Sequence, residues 1–190
     1  MFEYNIIGEF MDYEMLVNKD NQLDRTYIPD DLVDAKSSYK NGILINKKVL
    51  EQFNLMKEDA KKFGYNIDIM SGYRDYLYQE KIYNKLLNDK GYAYTFRSIA
   101  RPGCSEHQTG LAIDICVYKD DKCYIEHELE DTDEINWIIN NCYKYGFILR
   151  YPKDMEDITG YNYEPWHFRY VGKIANYLYK NKMLLEDYKK

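Results

Sequence analysis

Residues 111–118, LAIDICVY, constrain the fold of this chain most, because they have the pattern of a buried β-strand and still carry an acid. In the alternating register of a strand, Leu111, Ile113 and Ile115 face one side and Asp114 faces the other. A solvated second face is the ordinary explanation for such an acid. A site that needs a carboxylate is the other explanation, and this segment alone does not decide between them.

Four other segments have helical patterns. The clearest helix begins near Asn46 and carries an apolar stripe, which consists of Val49, Phe53, Met56, Ala60 and Phe63. Asp75 is the predicted N-cap of a second helix through about residue 90, and Thr132 is the predicted N-cap of a third. A last helix is predicted over residues 173–182.

Short segments with strand patterns lie between these helices, namely NIDIMS (66–71), LAIDICVY (111–118), FILRY (147–151) and WHFRYVG (166–172). They do not alternate with helices in a regular βαβ rhythm. We therefore expect a single domain with an α+β fold, in which helices flank a small, mainly antiparallel sheet. Residues 1–45 have turn chemistry and short apolar pieces, and are predicted to wrap the surface of the domain formed by residues 46–190.

Composition narrows the class of protein. A net charge of −6 and a pI of about 5.2 argue against a nucleic-acid-binding protein, which needs a basic surface. No apolar run reaches the ~20 residues of a membrane span. Acids stand where a signal peptide needs lysines, so we expect a cytoplasmic protein, or a cell-surface protein if a signal or anchor precedes this sequence. The four cysteines form no CxxC pair and are predicted to be free thiols. The sequence does not predict an oligomeric state.

His107 precedes Asp114 by seven residues. Seven extended residues span about 23 Å, which is too long for two ligands of one metal ion, so a turn must lie between them. Gly110 stands where such a turn needs a permissive residue. A hydrogen-bonded structural histidine is the alternative at this point.

A second histidine lies in the segment EPWH. Pro165 favours an extended conformation for Glu164 and places this acid at the mouth of the strand. An acid, an indole and a histidine within four residues suit a pocket wall better than a structural strand. His107, Asp114 and His167 supply three N/O ligands, the number that a catalytic zinc needs while one position stays open for water. Glu164 would then take the proton from that water.

The segment SGYR supplies a further candidate residue. Arg74 follows a strand and a glycine turn, from where its guanidinium could bind a carboxylate or an oxyanion through two hydrogen bonds. A surface salt bridge is the ordinary alternative for an arginine that precedes a helix. For Gln79, one turn into that helix, a structural role is the commoner explanation.

In combination these motifs resemble the VanY-type zinc D,D-carboxypeptidases of peptidase family M15, the LAS group that also contains the VanX dipeptidases. They stand in the family's order as SGYR (71–74), SEHQTGLAID (105–114) and EPWH (164–167). The resemblance extends to residues 16–23, 145–152 and 158–172, and so covers most of the chain. The missing signal peptide, the length and the segment PGCSEHQ look most similar to the VanXY proteins, which are cytoplasmic and combine dipeptidase with carboxypeptidase activity.

The resemblance implies one zinc ion per chain, bound by His107, Asp114 and His167. It implies that Glu164 is the general base and later the acid that protonates the leaving amine. It also implies that Arg74 stabilises the oxyanion of the tetrahedral intermediate or holds the substrate.

Ser105 and Gln79 match family positions that help to anchor the terminal carboxylate of the substrate, and Trp166 is expected to pack beside the metal. The implied protein is a LAS-type D,D-carboxypeptidase, with D,D-dipeptidase activity as a second activity, acting on peptidoglycan stem peptides or on D-Ala-D-Ala. An L,D-carboxypeptidase or an endopeptidase on the same scaffold is the first alternative. A non-catalytic peptidoglycan-binding module is the second, and Glu164 argues against it because a binding module has no use for a base.

The acidic segment KCYIEHELEDTDE (122–134) contains the remaining histidine, His127. Cys123 nearby suggests a metal site, but a solvated loop histidine is the preferred interpretation. The acids of this segment usually form a solvated charge run; they are Glu126, Glu128, Glu130 and Asp131. A sharper hypothesis is that one of them faces the pocket and pairs with the free amine of D-Ala-D-Ala.

Overall fold

A computed structural model describes residues 12–190, so the beginning of the predicted N-terminal segment lies outside the described residues. The strands are β1 Leu32–Asp34, β2 Leu44–Asn46, β3 Asn66–Ser71, β4 Ala112–Lys119, β5 Lys122–Tyr124, β6 Phe147–Leu149 and β7 His167–Tyr170. The α-helices are α1 Lys47–Lys61, α2 Tyr76–Lys90, α3 Tyr92–Ser98, α4 Asp133–Asn141, α5 Glu156–Thr159, α6 Ala175–Asn181 and α7 Leu185–Tyr188. Short 3₁₀ turns cover Glu106–Thr109, Glu126–Leu129, Cys142–Tyr145 and Gly172–Ile174.

Strand β4 is the centre of the larger sheet. It pairs antiparallel with β3 on one side and with β7 on the other, while β6 extends the sheet beyond β7 and β5 pairs with the end of β4. In this register Asp114 lies opposite Ser71 of β3 and opposite His167 of β7. The predicted α+β fold with a small antiparallel sheet is confirmed, and β4 brings its acid between two of the sequence motifs.

The core forms between α1 and the sheet, and both faces of β4 are buried as far as residue 117. Four stripe residues of α1 are buried in this core: Val49, Phe53, Met56 and Ala60. The assignment of Phe63 to the stripe is wrong, because α1 ends at Lys61 and Phe63 is 63% exposed. The solvated second face of β4 is also ruled out, since Asp114 is only 5% exposed.

Capping fixes the predicted helix starts. The side chains of Asn46, Asp75 and Thr132 each accept a hydrogen bond from a backbone N–H in the first turn of α1, α2 and α4. The last predicted helix is shorter than expected, because a 3₁₀ turn precedes α6. The sequence patterns missed six elements that are all seven residues or shorter and depend on tertiary packing, namely β1, β2, β5, α3, α5 and α7.

The described part of the predicted surface segment contributes to the core. Strands β1 and β2 pair as an antiparallel hairpin, and Ile43 beside β2 is buried in the main core. This hairpin lies directly against Gly72, where a side chain would collide with the Leu44 carbonyl and with Ile45. The glycine of SGYR therefore lets the hairpin support the loop that follows β3.

No helix within residues 12–190 is long and apolar enough to cross a membrane. All four cysteines are free, as predicted, and three of them are buried: Cys104, Cys116 and Cys142.

Candidate active site

A cavity lies where β7 begins beside β4. Residues of all three sequence motifs line it, among them Arg74, Ser105, His107, Asp114, Glu164 and His167. The motifs are far apart in sequence, and the antiparallel pairing of β4 with β3 and β7 brings them together.

The three candidate ligands converge on one point in this cavity. One ligand atom each from His107, Asp114 and His167 can be chosen so that all three lie within 4.8 Å of one another, and all three residues are buried. His107 Nε2 lies 3.3 Å from Asp114 Oδ2, and His167 Nδ1 lies 3.2 Å from Asp114 Oδ1. Among the described residues no other group of three or more His, Cys, Asp or Glu side chains meets this condition.

Gly110 makes this convergence possible. It ends the 3₁₀ turn of His107 with a left-handed backbone, φ +70°, which glycine adopts at no steric cost. Its carbonyl accepts a hydrogen bond from the backbone N–H of Asn46, and a Cβ at position 110 would lie 2.9 Å from Leu32 Cδ2. The turn between His107 and Asp114 is thus present where the sequence predicted it.

His107 is held as a neutral imidazole. Its Nδ1 lies 2.6 Å from the Gly72 carbonyl, which can only accept, so Nδ1 carries the proton and Nε2 presents its lone pair to the cavity. Burial and the nearby Arg74 guanidinium lower the pKa of His107 to about 4. This side chain therefore needs no change in protonation to bind a cation.

His167 behaves differently in the metal-free protein. Burial lowers its pKa, but the Asp114 and Glu106 carboxylates beside its two ring nitrogens raise it more, to about 9. Burial raises the pKa of Asp114, but the neighbouring His107 and His167 lower it by a larger amount. The pKa of Asp114 therefore lies well below its ordinary value. These shifts in pKa favour an ionised Asp114 and, until a cation binds, a protonated His167 at neutral pH.

Buried polar atoms show that the site fits a cation. His107 Nε2 and Asp114 Oδ1 are buried without a hydrogen-bond partner within the described chain, although buried polar atoms are normally paired. Both atoms belong to residues of the candidate ligand cluster. Two imidazole nitrogens and one carboxylate are a donor set that suits zinc with an open position.

Glu164 lies beside the candidate ligands at the cavity wall. Its Oε2 is 3.6 Å from His167 Nδ1, and its backbone N–H donates to the Tyr151 carbonyl. Burial raises the pKa of Glu164 to about 7, with the Asp114 carboxylate acting in the same direction. A carboxyl group with such a pKa is suited to both taking up and releasing a proton near neutral pH.

Of the other predicted site residues, Arg74, Ser105 and Trp166 line the cavity and Gln79 does not. Arg74 NH1 lies 3.8 Å from Asp114 Oδ2, and the guanidinium lines the cavity together with Ser105. Gln79 is buried behind the wall, where its amide donates to the Ala100 carbonyl at 2.7 Å. Trp166 lines the cavity, as expected for a residue near the ligands.

His127 packs against Trp166, which lines the cavity, and takes no part in the ligand cluster. Its side chain is 68% exposed, its Nδ1 pairs with Glu130 at 2.6 Å, and its ring stands edge-on against Trp166. Cys123 does not join it in a group of candidate ligands. Of the four acids in this segment, Glu126 lines the cavity.

Sequence reasoning missed the buried ions behind the ligands, which are Glu106, Arg150 and Arg169. The available signal was an arginine within each of two apolar strand segments, FILRY and HFRY, since arginine is almost never fully buried unless it is paired. It also missed two buried tyrosines that line the cavity, Tyr151 and Tyr161.

The sequence is similar to those of known peptidases. The family described as "VanY: D-alanyl-D-alanine carboxypeptidase" matches residues 42–173. The bifunctional D-Ala-D-Ala dipeptidase and D-Ala-D-Ala carboxypeptidase VanXYC of Enterococcus gallinarum is 38% identical over 176 residues, which cover 91% of either chain. YodJ of Bacillus subtilis (strain 168), provisionally named a carboxypeptidase, is 42% identical over 179 residues; the match covers 91% of this chain and 65% of YodJ.

Solved structures show the same similarity. The LdcB LD-carboxypeptidase superposes with a TM-score of 0.84 at 42% identity, over 92% of this chain and 84% of that chain. The vancomycin resistance D,D-pentapeptidase VanY, solved in complex with Zn(II), superposes with a TM-score of 0.80 at 31% identity, over 94% of this chain and 99% of that chain.

The protonated His167 predicts a pH-dependent zinc affinity. The metal must displace this proton below a pKa of about 9, so affinity should increase about tenfold per pH unit between pH 6.5 and 8.5 and level off above pH 9. Competition between the metal-free protein and a chelating dye measures this slope. A His127→Ala variant is the control and should give the same slope. An affinity that is constant from pH 6.5 to 8.5 would contradict the protonation state described for His167.

Proposed function

The chain belongs to the VanY family of D-alanyl-D-alanine carboxypeptidases, and we propose that it is a zinc-dependent D,D-carboxypeptidase that removes the terminal D-Ala of peptidoglycan precursors. One observation carries this proposal: three buried ligand atoms within 4.8 Å of one another, with the Glu164 carboxylate beside them. This combination is what hydrolysis of a peptide bond requires of a metallopeptidase.

His107, Asp114 and His167 would hold the zinc ion. Zinc supplies Lewis acidity towards a water molecule and towards the scissile carbonyl when it is bound. His107 is already neutral, Asp114 is ionised, and His167 has to release one proton before it can act as a ligand.

Glu164 handles the protons of the reaction. Its carboxylate takes one proton from the attacking water, whose oxygen forms a bond to the carbonyl carbon. The same carboxyl group then gives this proton to the amide nitrogen as the C–N bond breaks, so that free D-Ala leaves as an amine. Burial of Glu164 supports this role because it raises the pKa to about 7.

Arg74 and Ser105 are proposed to hold the anionic groups of the substrate. Arg74 Nε is buried without a hydrogen-bond partner within the described residues, so this guanidinium has a free donor. Ser105 lines the cavity, as do residues 98–100. Gln79 supports this wall through its bond to the Ala100 carbonyl and is proposed to act on the substrate carboxylate through that segment.

A groove continues from the cavity past Arg74 and gives room for a peptide longer than two residues. Met70, Arg74, Asp114 and Glu126 line both the cavity and the groove. Tyrosine side chains and Lys40 form the outer part of the groove. This continuity supports a peptidoglycan stem peptide as the substrate, with its C-terminal residue in the cavity and the preceding residues in the groove.

D,D-dipeptidase activity is a second candidate, favoured by the position of Glu126. This acid has a backbone φ of +49° and lies at the junction of cavity and groove. A carboxylate there can pair with the free ammonium of D-Ala-D-Ala, a charge that a longer peptide lacks at that position. An L,D-carboxypeptidase is the third candidate, because the similar LdcB is an LD-carboxypeptidase.

Peptide hydrolysis tests the proposed function directly. The protein should release D-Ala from a pentapeptide that ends in D-Ala-D-Ala, and a chelator should abolish this release until zinc is added back. D-Ala-D-Ala and a tetrapeptide that ends in L-residue–D-Ala, assayed in parallel, distinguish dipeptidase and L,D-carboxypeptidase activity. Release from the tetrapeptide alone would replace the D,D assignment with the L,D one, and no release from any substrate by the zinc-loaded protein would leave a binding module.

Substitution of Glu164 separates chemistry from metal binding. Glu164→Ala should retain zinc and lose at least ~10²-fold in kcat, because the proton acceptor is gone while the ligands remain. Metal analysis and steady-state kinetics on the pentapeptide measure both properties. Zinc retained with an unchanged turnover would falsify the role of Glu164 as the base.

Substitution of Glu126 tests recognition of the amine. Glu126→Gln should lower kcat/KM for D-Ala-D-Ala by about 10-fold relative to the pentapeptide, since it removes a charge-assisted contact. Asp131→Asn, in the same acidic segment but outside the cavity lining, is the matched control and should leave the ratio unchanged. Equal effects of both substitutions, or no change in the ratio with Glu126→Gln, would assign the ammonium to another group.

A further inference from the structure

Glu106, the residue before His107, is the most deeply enclosed acid near the site. Its side chain has no exposed surface, and it lies between two arginines that are equally enclosed. Arg150 Nε donates to Glu106 Oε1 at 2.7 Å, and Arg169 NH1 lies 3.1 Å from the same oxygen. These contacts keep the carboxylate ionised, because they outweigh the cost of burying it.

The other oxygen of Glu106 faces the site. Glu106 Oε2 lies 3.5 Å from His167 Nε2, and both atoms are buried with no hydrogen-bond partner within the described residues. On the opposite edge of the same ring, Nδ1 faces Asp114 and Glu164. One edge of His167 thus faces the cavity and the other edge faces a buried carboxylate.

Arg150, one of the two arginines that contact Glu106, also forms a salt bridge with the C-terminal part of the chain. Arg150 NH1 and NH2 donate to the two carboxylate oxygens of Glu186 at 3.0 and 2.6 Å. Glu186 is a residue of α7, which lies outside the sequence motifs. A continuous series of charged contacts therefore connects α7 to His167 through Arg150 and Glu106.

We propose that Glu106 is a positioning residue for the metal site, and that Arg150 and Glu186 hold it in place. Glu106 accepts the Nε2–H of His167, which fixes the tautomer and directs the Nδ1 lone pair to the metal. Glu106 touches neither the substrate nor the reacting atoms in this role. The inference rests on the zinc site of the proposed function, but it concerns metal affinity and not the choice of peptide.

Glu106→Gln tests the positioning role. The substitution keeps the size of the side chain and removes the charge that orients His167, so zinc affinity should fall about 10- to 100-fold. Glu186→Gln, at the far end of the series, should lower zinc affinity by a smaller factor. Asp187→Asn is the matched control, because this neighbour in α7 pairs with Lys190 at the surface, and it should leave zinc affinity unchanged. Competition with a chelating dye at pH 8 measures affinity, and urea unfolding shows that each variant is folded.

The tautomer of His167 supplies a second measurement on the unmodified protein. Long-range ¹H–¹⁵N correlation spectra of the zinc-loaded protein should show a protonated Nε2 and a metal-bound Nδ1 for His167. This measurement decides the matter if Glu106→Gln does not fold.

Two results would overturn the inference: folded Glu106→Gln that binds zinc within threefold of the parent affinity, or a His167 that is protonated at Nδ1 in the zinc-loaded protein. Folded Glu186→Gln with the parent affinity would remove α7 from the series. A parent protein that binds zinc and cleaves none of the peptides would overturn the proposed function alone and leave the role of Glu106 intact.

Discussion

The Asp114 carboxylate lies inside the sheet, and a buried charge costs several kcal/mol unless other groups compensate it. The protonated imidazole of His167, the first residue of β7, and the Arg74 guanidinium supply the compensating positive charge. The neutral imidazole of His107 joins the cluster from a 3₁₀ turn before β4. The left-handed turn at Gly110, the hairpin behind Gly72 and the antiparallel register of β4 with β7 all serve this cluster. The arrangement that makes the acid tolerable in the core also creates the candidate metal site.

Either a proton on His167 or a bound zinc ion can supply positive charge beside the Asp114 carboxylate. In the metal-free protein the proton on His167 balances part of the negative charge of Asp114 and Glu106. A zinc ion would replace that proton and would favour the ionised form of Glu164, the form that a general base needs.

Short sequence patterns predicted the elements whose formation depends on neighbouring residues, such as capped helix starts and an apolar strand. The N-caps Asn46, Asp75 and Thr132 and the strand around Asp114 are visible as short patterns, and the structure brings His107, Asp114 and His167 together as the motifs suggested. The burial of Arg150 and Arg169 was not predictable in this way, because their partners lie far away in the sequence. The interior position of Gln79 and the exposure of Phe63 likewise depend on tertiary packing, which a periodic pattern does not record.

The salt bridge between Arg150 and Glu186 bears on where this domain can be cut. The family match ends at residue 173, yet Glu186 lies beyond that limit, and Arg169 donates to the Tyr13 and Met15 carbonyls well before residue 42. A fragment restricted to the matched residues would strip two interior arginines of these partners. We expect the smallest autonomous unit to be larger than the family match, so a chimaera that transplants this unit has to carry both flanking segments with it.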